Sequence, residues 1–312
     1  MSIAFARDPL FAKSQLFIQR ALGHRNSGRF GEFQLWASIS LELLAKAALS
    51  SIHPSLVADP TDFSSLLAAA GHPHGVASRS VPAKTTFERI VKVAPNFNKA
   101  DYDFCMLLAS RRNGELHSGA LPYVGVSLDA WLARFWIVAG SILAAQSRSL
   151  SDWIGPEEAA LAGELITNAR SAIEQAVGQR IVARRHWFDS TYPTGSTARA
   201  AIQQDVLNAW EPRDQFGRRL GDAQMQCECP ACGSIGGLAG DEYYSEVEET
   251  PGSLEEPPGR VTTTYYKSHA FRCRACALAL DGSAELASAG LIDEFSIEGD
   301  WESDYEPDYG NE

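Results

Sequence analysis

An arginine and a histidine stand five positions apart in a polar interruption between two apolar helical patterns. The interruption covers residues 111–119, and the pair consists of Arg112 and His117. An imidazole titrates near neutral pH, at about 6.5, so His117 can give or take a proton. The guanidinium of Arg112 can bind a phosphate through two parallel hydrogen bonds and stabilise charge on its oxygens. The pair therefore suits cleavage of RNA by attack of its own 2′-hydroxyl, which requires no metal.

Other polar residues near the pair are candidate supporting members of this site. Asn113 can hydrogen-bond a substrate or cap a helix, and Arg111 can contact an RNA backbone. Glu115 is expected to face solvent, where it can tune the pKa of the histidine. Glu42 lies on an apolar helix, and it is either a second polar member of the site or half of an ordinary pair with Lys46.

The spacing of the pair restricts how such a site can be built. Five residues along an ideal α-helix turn two side chains about 140° apart. Arg112 and His117 therefore converge within one chain only where the helix starts, bends or breaks, and Gly114 between them permits a break.

Apolar residues recurring every three and four positions predict that the first half of the chain is helical. The predicted helices cover residues 9–22, 30–50, 86–110 and 128–150, followed by residues 156–187 and 198–210. The helix at 128–150 is apolar on most of its faces and is expected to be central. The basic end of the helix at 156–187 contains Arg180 and Arg185, which suit either a helix C-terminus or a phosphate-binding surface.

Two Cys-x-x-Cys pairs in the C-terminal part form a second candidate site. Cys229 and Cys232 make the first pair, Cys273 and Cys276 make the second, and the segment between them has the pattern of a β-hairpin. Four thiolates close the tetrahedral coordination of one Zn²⁺, so we predict a zinc ribbon whose ion is structural and not catalytic. Cys227 is an alternative ligand to Cys229, although the Cys-Pro-x-Cys-Gly context favours Cys229.

Charge is divided unequally along the chain. Residues 1–220 contribute +4, from 23 Lys and Arg against 19 Asp and Glu, and residues 221–312 contribute −16, from 4 against 20, which together give the net −12. Acidic surfaces repel phosphate, so contacts with nucleic acid are expected in the first 220 residues. From residue 293 onward the sequence is acidic and is expected to be disordered or loosely docked.

These features predict a mainly α protein with a small β module. We expect a helical domain at residues 1–190, a helical linker at 191–220, a zinc ribbon at 221–285 and an acidic tail at 286–312. The first 16 residues contain charged side chains and no sustained apolar run, which argues against a secretory signal or a membrane span there. The expected location is the cytoplasm, without membrane contact.

The motif and its surroundings resemble those of the HEPN superfamily, a group of small α-helical bundles. Arg112, Asn113 and His117 form the pattern RNxxxH, a Ser-Gly pair follows it, and the upstream helix contains residues 36–46. The resemblance extends over residues 8–150. It implies a HEPN-like helical bundle in which Arg112 and His117 are catalytic and Asn113 matches the polar residue that follows the arginine.

The same resemblance implies a metal-independent endoribonuclease that leaves 2′,3′-cyclic phosphate and 5′-hydroxyl ends. Superfamily members occur among prokaryotic toxins and phage-defence ribonucleases and commonly dimerise with their motifs facing each other. We therefore expect RNA as the substrate, a homodimer, and a protein partner such as an antitoxin. HEPN-like bundles also serve as non-catalytic scaffolds, and the zinc ribbon would then recruit a partner. A DNA-binding regulator is disfavoured, because no helix-turn-helix pattern is evident.

Overall fold

The computed structural model describes residues 3–72, 78–126, 128–250, 259–299 and 302–303. The chain divides into two compact units, Met1–Ala169 and Arg170–Glu312. The first unit ends earlier than residue 190, the predicted end of the helical domain. The reason is that helix α8 (Pro156–Thr191) begins among the residues of the first unit and continues among those of the second.

The first unit consists of helices. They are α1 (Arg7–Asn26), α2 (Phe30–Ile52), α3 (Phe63–Ala69), α4 (Ala83–Val93), α5 (Lys99–His117), α6 (Leu128–Ala144), α7 (Leu150–Ile154) and the beginning of α8. Helix α2 packs against α1, α4, α5 and α6 and is therefore the central element. Its apolar and small side chains, such as Leu41, Leu44 and Ala45, are buried on most of its faces.

Large aromatic side chains fill the core of this unit. Trp136 and Trp153 are completely or almost completely buried, and their ring centroids lie 6.3 Å apart. Phe135 packs edge to face against Trp136 at 5.0 Å. Rings of this size contribute much of the apolar area that a bundle buries. Their packing fixes the positions of the helices that carry the motif.

Helix α2 is also the one helix in the described part of the chain that is long and apolar enough to span a membrane. The central helix of a soluble bundle passes the same test of length and hydropathy, and 61% of the apolar window of α2 is buried inside the structure. Its apolar character is therefore accounted for by packing against its neighbours.

The single helix predicted for residues 86–110 is wrong, because the structure contains two helices there, α4 and α5. Pro95 follows α4 and has no N–H with which to continue it. The Asn98 side chain accepts a hydrogen bond from the backbone N–H of Asp101, and the Asp101 side chain accepts one from the backbone N–H of Asn98. This capping box starts α5 and so sets the register of the motif.

The second unit combines helix α9 (Thr197–Asn208) with an antiparallel sheet. Its remaining elements are β1 (Ala223–Glu228), β2 (Ile235–Thr250), β3 (Gly259–Arg272), β4 (Ala279–Asp281), α10 (Ser283–Ser288), β5 (Glu294–Glu298) and β6 (Glu302–Ser303). The strand order is β1-β2-β3-β4, and β5 and β6 also pair with β3. The prediction of a helical part followed by a small β module is confirmed at this level.

Part of the predicted acidic tail belongs to this sheet. The expectation that the chain is disordered or loosely docked from residue 293 onward is wrong for β5, which pairs with β3 in the register Tyr266 to Phe295. Phe295 is buried and stacks on Tyr266 with ring centroids 5.4 Å apart. One buried aromatic side chain thus anchors a strand whose other residues are mostly charged or polar. Residues 304–312 of the tail lie outside the described residues.

Candidate functional site

Arg112 is held by a carboxylate from another helix. Its Nη1 donates to Oε2 of Glu42 on α2, and its Nε and Nη2 contact Oδ1 of Asn113 at 3.3 Å and 3.2 Å. The Arg112 and Glu42 side chains are only 16% and 15% exposed. The guanidinium is therefore oriented by a shielded ion pair, which restricts its motion more than a surface contact does.

Glu42 is shared between two cations. Nζ of Lys46 lies 2.7 Å from Oε1 of Glu42 and 3.0 Å from Oγ of Ser80. Both contacts considered for Glu42, the local pair with Lys46 and a contact with the motif, are present together. Burial raises the pKa of Glu42, but Lys46 and Arg112 outweigh burial, so its pKa lies below the usual value. Glu42 is consequently ionised at neutral pH, and the three side chains carry a net +1.

Replacement of Glu42 by alanine is expected to destabilise the first unit by about 3–5 kcal/mol, because Lys46 and Arg112 would remain largely buried without their counter-ion. Urea unfolding followed by tryptophan fluorescence measures this change. The matched control is Glu88→Ala, since Glu88 forms an exposed pair with Lys84 at 3.7 Å and should cost less than about 1 kcal/mol. Equal losses for both variants would contradict a special role of the buried pair.

The lowered pKa of Glu42 also predicts a pH dependence. Its ionised form stabilises the folded state above the ordinary carboxyl pKa of 4.5, and this contribution is lost as pH falls through the lower pKa of the folded state. Unfolding free energy measured between pH 7 and acid pH should therefore fall less steeply in Glu42→Gln than in the wild type. Parallel pH profiles for the two proteins would show that Glu42 does not make this contribution.

His117 is the last residue of α5 and is exposed. Its side chain forms no hydrogen bond or ion pair with any residue in the described part of the chain. The break that Gly114 permits is absent, since α5 is continuous from Lys99 to His117. An unbroken helix turns Arg112 and His117 about 140° apart, so the two side chains do not converge within one copy of the chain.

Arg111 and Glu115 lie on α5 next to Arg112 and His117 but take no part in the contacts of Arg112. Arg111 is partly buried, and Glu115 is exposed, as expected. Within the described residues neither forms an ion pair or a side-chain hydrogen bond. The helix ends after His117 because Ser118 has an extended backbone conformation, and Oγ of Ser118 donates to the carbonyl of Gly114 at 2.7 Å.

Tyr123 is a member of this region that the sequence analysis missed. It is 7% exposed, and its hydroxyl has no hydrogen-bond partner within the described structure. Burial raises its pKa to about 12, with a further contribution from Glu115, while the charges of Arg112 and Arg111 oppose the rise. The turn that carries Tyr123 packs Pro122 against Gly114. The sequence signal that could have indicated this residue is the pair Pro122 and Tyr123, which follows the motif.

Replacement of Tyr123 by phenylalanine is expected to leave stability unchanged or raise it by about 1 kcal/mol, because a buried hydroxyl without a partner opposes folding. The urea midpoint measures the change, and Tyr102→Phe on α5 serves as a control for removal of a tyrosine hydroxyl that is less buried. A loss of more than about 1 kcal/mol in Tyr123→Phe would show that the hydroxyl has a partner after all.

The four predicted cysteine ligands come together in the second unit. Their sulfur atoms all lie within 4.8 Å of one another, with 3.6 Å between Cys229 and Cys276 and between Cys232 and Cys273. A tetrahedral ion with Zn–S bonds of about 2.3 Å places its sulfurs about 3.8 Å apart. All four residues are buried, so this spacing and donor set fit one structural ion that has no open coordination position.

Two turns place these cysteines. In the first knuckle, which is residues 229–233 between β1 and β2, the N–H of Gly233 donates to the carbonyl of Cys229 at 3.0 Å. In the second knuckle, residues 273–277 between β3 and β4, the N–H of Cys273 donates to Leu278 at 2.9 Å. Cys227 lies on β1, outside the sulfur cluster, so Cys229 and not Cys227 belongs to the ligand set.

Two arginines of α8, Arg180 and Arg185, contact residues of the β module. Helix α8 continues to Thr191, so Arg180 and Arg185 do not lie in its last turn, and the expectation of a helix C-terminus there is wrong. The Arg180 guanidinium contacts Glu285 at 2.7 Å, and Arg185 donates to the carbonyl of Ala231 in the first knuckle at 3.1 Å. These contacts give both arginines a structural role in the β module.

Comparisons with models of known protein families, with curated proteins and with solved structures find no match.

Proposed function

We propose that this protein is a metal-independent endoribonuclease of the HEPN type, with Arg112 and His117 as its catalytic residues. The observation that carries the proposal is the contrast at the end of α5. Arg112 is oriented by the buried carboxylate of Glu42, whereas His117 is exposed and free of contacts among the described residues. A fixed cation and an accessible acid–base group are what cleavage by an internal nucleophile requires.

The proposed reaction forms a bond between the 2′-oxygen of RNA and phosphorus and breaks the bond from phosphorus to the 5′-oxygen. The His117 imidazole of the site accepts the proton of the 2′-hydroxyl and, as the imidazolium formed in this way, donates it to the departing 5′-oxygen. Arg112 binds the non-bridging oxygens as charge builds on them. The products are a 2′,3′-cyclic phosphate and a 5′-hydroxyl. Asn113 and Arg111 then serve as further contacts to the RNA backbone.

A homodimer supplies what one copy lacks. Because Arg112 and His117 point in different directions on one helix, Arg112 of one copy would act with His117 of the other. Exposed apolar side chains beside the motif support association, since Leu116, Leu121 and Val124 are 52%, 69% and 74% exposed. An apolar surface next to a catalytic group is well suited to burial against a second copy.

Mixing two inactive variants tests this shared site. A heterodimer of Arg112→Ala and His117→Ala contains one site with both residues altered and one intact site. Random mixing should therefore restore roughly a quarter of the wild-type activity. If both residues of a site come from one copy, the mixture stays inactive. Light scattering of each variant shows whether both still dimerise.

The proposed activity itself is tested by incubating the purified protein with total RNA in a chelator, followed by end-group analysis of the fragments. Cyclic phosphate ends and cleavage without added metal are expected. A matched RNA with 2′-O-methyl groups should remain intact, because it has no internal nucleophile. Zinc content is followed in parallel, so that loss of the β module is not mistaken for loss of a catalytic metal. Cleavage of the methylated RNA would refute the mechanism.

The proposal includes four further assignments. The cysteine cluster would hold a structural Zn²⁺ in a zinc ribbon. The protein would act in the cytoplasm, without membrane contact. Its role would be that of a toxin or an antiphage defence effector, because uncontrolled cleavage of RNA harms the cell that contains it. Such a role calls for a protein partner that restrains the enzyme, as an antitoxin does.

A non-catalytic scaffold is the second candidate. One observation favours it, since Arg112 is already paired with Glu42 and its Nε and Nη2 contact Asn113. In this case Arg112 and His117 would bind RNA or support an interface, and the zinc ribbon would recruit a partner. Expression of His117→Gln separates the two candidates, because glutamine can still hydrogen-bond RNA or a partner but cannot exchange a proton, so a scaffold keeps its cellular effect whereas a ribonuclease loses it.

A further inference from the structure

The sheet of the second unit extends beyond the cysteine cluster as an arm of three strands. We call this part the acidic arm and define it as residues 241–250 of β2, residues 259–267 of β3, and β5. Strand β1 pairs with β2 only as far as Gly240, and β5 pairs with the opposite edge of β3. Within the described residues, the outer edge of β2 therefore has no neighbouring strand beyond Gly240.

The free part of this edge is exposed along its length. All six residues of β2 from 244 to 249 are exposed, including the apolar side chains of Tyr244 at 51% and Val247 at 56%. Three strands without a packed face are only marginally stable in water. The part of β2 and β3 that extends beyond the cysteine cluster therefore has no hydrophobic core of its own that would explain its length.

The charge of this edge is negative. Glu246, Glu248 and Glu249 lie on β2 between residues 244 and 250, and no lysine or arginine does. Across the arm, Lys267 is already paired with Glu294 at 2.6 Å, and Arg260 of β3 lies opposite Glu249 in the strand register. A strand that approaches this edge consequently meets alternate unpaired backbone groups together with two carboxylates on one face, Glu246 and Glu248, and a third, Glu249, on the other.

We propose that residues 244–250 of β2 form a docking edge for an extended, basic segment of another protein, which adds to the sheet as a further strand. Backbone hydrogen bonds would hold the segment, and its alternate lysine or arginine side chains would face Glu246 and Glu248 on one face of the sheet. This inference concerns the second unit and does not depend on the proposed ribonuclease activity.

Charge excludes other occupants. A second copy that paired edge to edge would place Glu246, Glu248 and Glu249 against their own equivalents, and like charges across a sheet oppose pairing. The C-terminal residues 304–312 contain four acidic and no basic side chains, so they are repelled as well. RNA is repelled by the same carboxylates. The acidic charge thus opposes pairing of two copies through this edge and at the same time favours a basic strand.

Binding of a short peptide of alternating lysine and valine to the zinc-loaded full chain tests the proposal. Amide hydrogen exchange should slow on the order of tenfold in residues 244–250 when the peptide is bound. The same peptide with N-methyl groups on alternate amides keeps its charge but cannot donate along one edge, and it should bind on the order of tenfold more weakly. A peptide of alternating glutamate and valine should not bind.

Two charge reversals complete the test. Glu248→Lys is expected to weaken binding of the lysine peptide on the order of tenfold at low salt. Glu298→Lys on β5 makes the same change of charge on the other edge of the arm and should have a much smaller effect. Protection of residues 294–298 instead of 244–250, equal binding of the N-methylated peptide, or no binding would each overturn the proposal.

Discussion

Replacement of Arg112 or His117 by alanine is expected to lower the rate of RNA cleavage by about 10²- to 10⁴-fold. His117→Ala removes the group that exchanges protons with the 2′-hydroxyl or the 5′-oxygen. Arg112→Ala removes the donors that stabilise charge on the phosphate. Initial rates on a single labelled RNA, measured with substrate in excess and in the presence of a chelator, give both effects.

The two replacements are expected to differ in their effect on stability. His117 is exposed and without contacts in the described structure, so its replacement should change the unfolding free energy by less than about 0.5 kcal/mol. Arg112 contacts the buried Glu42, so Arg112→Lys is the more informative variant. Lysine keeps a positive charge near Glu42 but cannot form the two parallel hydrogen bonds of a guanidinium. The variant should therefore lose most of the activity with little loss of stability.

Neighbouring residues provide the matched controls for these rates. Arg111→Ala and Glu115→Gln alter charged side chains of the same helix that form no ion pair among the described residues. Each is expected to reduce cleavage only a few-fold, mainly through weaker RNA binding for Arg111. If both controls lose as much activity as His117→Ala, the damage is general and the assignment of the catalytic pair fails.

Loss of the metal is expected to have the second large effect, on the order of 10 kcal/mol of folding free energy in the β module. The four buried sulfurs lie within 4.8 Å of one another, and without an ion their thiols would have to share this space with little core to support it. Replacement of Cys273 by serine, or exhaustive chelation, should therefore unfold the sheet. Circular dichroism and hydrogen exchange in β2 and β3 measure the change.

Cys227→Ser is the control for metal binding. This residue lies on β1 outside the sulfur cluster, so the variant should retain one zinc per chain, as measured by release with a thiol reagent and a zinc indicator. Loss of zinc in Cys227→Ser, or a sheet that stays protected from exchange after the metal is removed, would contradict the assignment. RNA cleavage that continues after zinc loss would show that the ion is structural and not catalytic.

Most helices could be predicted from the sequence because their apolar residues repeat with the period of an α-helix. The error at residues 86–110 arose from the same signal, since α4 and α5 both bury apolar faces in one core. Pro95, Asn98 and Asp101 are visible in the sequence. Only the hydrogen bonds of the folded capping box show that one helix has ended and another begins there. Strand β5 was missed because its acidic composition outweighs the single buried Phe295 that anchors it.

The candidate site was only partly predictable for a related reason. Arg112, Asn113 and His117 are close in sequence and carry a recognisable pattern. Glu42 stands 70 positions before Arg112, so the sequence alone left open whether the two side chains meet. Tyr123 was missed because a buried tyrosine is usually a core residue, and its relation to Arg112 depends on how the turn after α5 folds back.

The sequence by itself determined the helical first half, the four cysteines that lie together and the candidate pair Arg112 and His117, because periodicity and the spacing of motif residues are local properties. Only the tertiary structure decided that α5 is unbroken, so that the pair diverges within one copy of the chain. Packing of α2 against α5 likewise decided that Glu42 holds Arg112. Contacts between distant residues depend on how buried faces fit together, and no local pattern encodes that fit.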